Sequence, residues 1–119
     1  MNEGQDKRLQ RAMLSLEGLS VGDAFGEALM FTGAPDQAVQ SGTLPNGPWP
    51  YTDDTAMALS IVAALDSHGE IRQNDLALEF GRLFDTRRGY GPAMFTLLPA
   101  LHDGWRHRSL SRRGNRVAG

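Results

Sequence analysis

With 119 residues, no cysteine and 40% hydrophobic residues, the chain has the make-up of a single globular domain, and disulfides, thiolate metal sites and a cysteine nucleophile are excluded. The formal net charge of −2 hides an asymmetry, because residues 106–119 carry five Arg and no acid while the first 105 residues hold seven Lys or Arg against all 14 acids. The acidic body argues against a nucleic-acid groove, and no aromatics interleave with the arginines to stack on bases, so residues 1–105 are read as the folded domain and 106–119 as a basic, disordered tail.

The start, MNEGQDKRLQRAML, lacks the apolar core of a signal peptide, and no apolar run approaches the roughly 20 residues that span a bilayer. No membrane partner is expected, and a cytoplasmic location is the default. No window alternates apolar and polar residues long enough for a strand, so the expected fold is all-α. The first helix is expected from about Asp6 to Met30, with Leu9, Ala12, Met13, Leu16 and Leu19 on one apolar face. Gly18, Gly22 and Gly26 recur every four residues in its second half, and each should cost a helix roughly 0.5–1 kcal/mol relative to Ala. Close approach of another helix, or of a ligand, is the expected compensation.

Residues 32–51, TGAPDQAVQSGTLPNGPWPY, are rich in Gly and Pro and read as a long loop, of the kind that tends to border binding sites. A second long helix should start at Thr52 or Asp53 and end before Gly69, and its nearly continuous apolar residues from Met57 to Leu65 predict a central, buried element. A third is expected from Asn74 as its cap through Leu76, Leu78, Phe80, Leu83 and Phe84. The segment DTRRGYG then interrupts, Pro92 suits the first turn of a fourth helix carrying Met94 to Leu101, and Pro99 should kink that helix or end it early.

The chemistry centres on YTDDTAMAL, residues 51–59. Thr52 with Asp53 and Asp54 can be a helix cap whose acids complement the dipole, contributing a kcal/mol or so. The same three residues are also a hard oxygen cluster suited to Mg²⁺ or Ca²⁺, where a cation relieves the repulsion between adjacent carboxylates. A hard cation takes about six oxygen ligands and this segment supplies perhaps three; no second pair of neighbouring acids follows Asp54.

GLSVGDAFGEAL, YTDDTAMAL and RRGYG occur in that order, with the Gly/Pro-rich loop between the first two. In this the chain resembles the N-terminal part of the ADP-ribosylglycohydrolase family, which includes the dinitrogenase reductase-activating glycohydrolases, over roughly residues 9–105. The resemblance implies an all-α fold with a site for two Mg²⁺ ions, or Mn²⁺ in some members, that hydrolyses the bond between ADP-ribose and a modified protein side chain. It implies Thr52, Asp53 and Asp54 as metal ligands, with Asp53, Asp54 and Glu27 as the candidate catalytic acids. Asp23 and Glu27 would line the same cleft, and Gly89, Tyr90 and Gly91 would form a loop against ADP-ribose, where the Tyr ring either stacks or is an ordinary half-buried aromatic. Metal ions in such a site orient ribose hydroxyls and polarise a water for attack on the anomeric carbon, while a carboxylate moves the proton.

Two departures accompany the resemblance. Many members carry a Glu four residues beyond the second Gly of the GDxxG segment, where this chain has Met30; Glu27, about one turn away, either substitutes or is a surface acid. Family members are much longer and complete their metal site with a late DxDT segment, so a truncated and weakly active or inactive form is expected, with self-association through exposed apolar helix faces. The alternative is a non-catalytic module that binds ADP-ribose or a protein partner.

Overall fold

The structure, a computed structural model, describes the backbone of residues 3–114 and the side chains of residues 3–104. Its α-helices are α1 (Glu3–Met30), α2 (Pro35–Ser41), α3 (Asp53–His68), α4 (Gln73–Arg82) and α5 (Met94–Gly114), with a 3₁₀ turn at Thr86–Arg88. No strand occurs among the described residues, and the fold is all-α as the periodicity indicates.

Local chemistry accounts for most boundaries. Gly69 ends α3 in the left-handed conformation at φ 68°, its N–H donating to the Leu65 carbonyl. The expected loop over residues 32–51 contains α2, opened by Pro35 in its first turn and closed by left-handed Gly42. α4 takes Arg72 rather than Asn74 as its capping position and stops before Leu83 and Phe84. α5 continues past Pro99, so the helix does not end early there. The same helix carries the backbone of residues 106–114, read above as a disordered tail; arginine and leucine are good helix formers, and no breaker intervenes before Gly114. Residues 115–119 of that tail lie outside the described residues.

Packing follows chain order: α1 against α2 and α3, α3 against α4, and α4 against α5. The first turns of α1, at Gly4 to Ala12, face the last turns of α3 at Val62 to Gly69, while Asp23 near the other end of α1 meets the start of α3, so the two helices run antiparallel. The result is flat and extended, 71 × 41 × 19 Å, with a radius of gyration of 19.0 Å. A compact chain of this length would have one of about 13–14 Å.

Two expectations about packing are corrected here. α3 lies between α1 and α4, yet only Thr55 and Ser60 are buried on it, and Leu59, Ile61 and Leu65 stay exposed. Two neighbours cover two sides of a helix that is apolar nearly all round. Among the described residues no helix approaches the Gly18, Gly22 and Gly26 stripe, where a Cβ would meet nothing within 4 Å. The glycine that does allow two helices to meet is Gly81 in α4, where a Cβ would stand 2.8 Å from the Leu98 carbonyl oxygen of α5.

Candidate functional site

The centre of the site is Asp23, two turns before the end of α1. Its Oδ1 accepts from the Thr52 hydroxyl at 2.6 Å, and its Oδ2 accepts both the Thr52 backbone N–H at 2.8 Å and the Thr55 hydroxyl at 2.7 Å. Burial opposes its charge, but the hydrogen bonds from Thr52 and Thr55 outweigh burial and hold its carboxyl below the ordinary range. Both threonines are buried, Thr55 with 2% of its surface exposed. The start of α3 is therefore fixed to α1 through one carboxylate.

This arrangement changes the reading of the TDDT segment. Thr52 occupies the capping position of α3 but makes no side-chain capping bond to that helix, and its hydroxyl proton goes to Asp23. Its lone pairs consequently point away from Asp23. Asp53 is half-buried and its Oδ1 accepts the Asp54 N–H at 3.1 Å, while Asp54 is exposed. A neutral hydroxyl oriented by a neighbouring carboxylate, next to two carboxylates, is a donor set of the right kind for a hard divalent cation. The set is short in number: among the described residues no group of three His, Asp or Glu side chains is placed to hold a metal. Waters and substrate oxygens would have to supply the remaining positions.

The RRGYG segment closes the other side. Gly89 is left-handed at φ 73°, and a Cβ there would lie 3.6 Å from Glu27 Oε1, so Glu27 and the glycine loop face each other. Tyr90 is buried and its ring stands edge-on to Phe84 at 4.9 Å, in a cluster that continues from Phe84 to Phe95. Burial, followed by the nearby charge of Asp53, raises the pKa of its phenol. Gly91 is exposed and unobstructed. Alongside the site, Ser20, Val21, Ala24, Pro48, Trp49 and Tyr51 line a shallow groove of about 440 Å³, with Trp49 packed edge-on to Phe25.

The structure thus gathers the three segments singled out in the sequence: Asp23 with Glu27, Thr52 with Asp53, and Gly89 with Tyr90. Sequence reasoning missed two residues. Thr55, the last letter of TDDT, is as deeply engaged with Asp23 as Thr52 is; the signal was its position one turn after Thr52, on the same face of α3. Arg88 also escaped notice, although its guanidinium carbon lies 3.8 Å from the centre of the Tyr51 ring.

Neither a curated protein nor a solved structure matches the chain. A model of the family described as ADP-ribosylglycohydrolase matches residues 4–119, a span that takes in every segment of the site. With its match extending over nearly the whole sequence, the chain belongs to the ADP-ribosylglycohydrolase family.

Proposed function

We propose that Thr52, Asp53 and Asp54 hold a Mg²⁺ ion, with Mn²⁺ as a substitute, in a site that hydrolyses the glycosidic bond between ADP-ribose and a modified protein side chain. The observation that carries this reading is the orientation of Thr52: a buried hydroxyl whose proton is committed to Asp23 next to two carboxylates. When bound, the metal would supply charge that orients ribose hydroxyls and polarises water. The protein's own residues divide the remaining work. Asp23 has both oxygens engaged and a lowered pKa, so it orients Thr52 and Thr55 and is a poor proton acceptor. Asp53, Asp54 and Glu27 are the carboxylates left to move a proton, and Glu27 takes the part assigned in the family to the residue where Met30 stands. Gly89 and Gly91 give a ligand access to backbone, Gly89 with a conformation that side chains rarely adopt.

The short donor set favours a second reading, in which this chain binds ADP-ribose with little turnover. Calorimetry with Mg²⁺ and ADP-ribose, alongside an assay of ADP-ribose release from ADP-ribosylated protein, separates the two. The first reading expects release that depends on Mg²⁺ and disappears in Asp53→Asn with Asp54→Asn. Binding of ADP-ribose that is unchanged by the double substitution and by chelator selects the second.

A further inference from the structure

Arg88 is the one cation among the described residues that touches both loops bordering the site. Its Nη1 donates to the Tyr51 carbonyl at 3.2 Å, and its guanidinium lies over the Tyr51 ring. From the other side Asp85 Oδ2 stands 3.7 Å from its Nε, at the start of the turn that leads into Gly89. Tyr51 directly precedes Thr52, and Arg88 directly precedes Gly89. The neighbouring Arg87 makes a useful contrast: it pairs with the same Asp85 but is almost fully exposed and bonds to no other segment among the described residues, whereas Arg88 has only about a quarter of its side chain exposed. A planar guanidinium can stack on a ring and donate along its edge at the same time, which an ammonium cannot.

We propose that Arg88 is a positioning residue for this site, clamping Tyr51 so that the Thr52–Asp54 segment keeps a fixed place relative to the Gly89–Gly91 loop. Its effect on metal affinity rests on the function proposed above; its effect on the Thr52 segment does not. The test therefore uses two readouts on the whole chain, hydrogen exchange of the Thr52 amide and Mg²⁺ affinity by calorimetry, for Arg88→Ala, Arg88→Lys and the control Arg87→Ala.

For both Arg88 variants the Thr52 amide, which donates to Asp23, is expected to exchange about tenfold faster, with Mg²⁺ affinity lowered about tenfold. Amides inside α4 should keep their rates, and Arg87→Ala should match the wild type in both readouts. The lysine variant, which keeps charge and bulk, guards against loss of the fold in the alanine variant. An unchanged Thr52 amide in both Arg88 variants overturns the proposal, as does faster exchange with undiminished Mg²⁺ affinity, or an equal response to Arg87→Ala. If the wild type binds no Mg²⁺, the metal reading fails by itself and the amide rates alone decide whether Arg88 holds the segment.

Discussion

At the scale of single residues, the Asp23 carboxylate organises the site, and its three donors make separable predictions. Thr55→Val keeps the shape of the side chain and removes one hydrogen bond to a charged group, so it should destabilise the fold by about 1.5–3 kcal/mol in a denaturant titration. Asp23→Asn should cost at least as much, because an amide presents a donor where two acceptors are needed and the Thr52 backbone N–H cannot turn away. Asp23→Asn should also weaken Mg²⁺ binding by about 10–100-fold, since Thr52 loses the partner that orients it. The sequence made the acids visible because two adjacent carboxylates and a hydroxyl stand directly ahead of a long apolar run. It did not reveal which acid would be free and which would be engaged, since that depends on a pairing of residues 29 positions apart.

At the scale of elements, the glycines divide into two kinds that look alike in one dimension. Gly18 and Gly22 face open space, so Gly→Ala at either should stabilise α1 by roughly 0.5–1 kcal/mol, read as a raised Tm. A loss of stability there would mean that something covers the stripe in solution. Gly81→Ala should do the opposite: its Cβ would collide with the Leu98 backbone, and forcing α4 from α5 should cost about 1–3 kcal/mol. The regular spacing of Gly18, Gly22 and Gly26 suggested a helix contact that is not made among the described residues, whereas Gly81 stands alone in FGRLF and gives no periodic signal. Helix starts and ends were more legible, because Gly69 and Pro35 act through their own backbone geometry. Pro99 does not end the helix early: α4 packs along α5 on both sides of it, with Gly81 against Leu98 and His102, so the helix is supported across the missing donor.

At the scale of the whole molecule, much of the apolar surface of the described residues is exposed. Leu14 and Val21 on α1 are about two-thirds exposed and Phe31 is 80% exposed. Self-association that grows with concentration is the expected consequence, measurable by sedimentation velocity, and Leu14→Lys with Val21→Lys should reduce it. The binary pattern made these positions apolar in the sequence but could not say which of them would find cover. Acid should weaken the fold as well. Asp23, Glu79 and Asp85 all have folded-state pKa values below their ordinary ones, Asp85 at about 2 through its bonds to Arg87. The unfolded chain therefore binds more protons, and the stability that these groups contribute is full above the ordinary carboxylate range and is lost as pH falls through the lower folded values. Thermal unfolding followed from pH 5 to pH 2 should show that decline, with a shallower slope in Asp23→Asn.

The chain-order stacking of helices has a kinetic corollary. Most partners are neighbours along the backbone, so few stretches must be drawn together from a distance as the molecule assembles. Among the longer-range ties, those from Thr52 and Thr55 to Asp23 and from Arg88 to Tyr51 close loops of 29, 32 and 37 residues, and the meeting of the first turns of α1 with the last turns of α3 closes a longer one. These encounters, the ones that assemble the pocket among them, should follow the formation of the helices themselves, so that the helices stand while the cleft is still open.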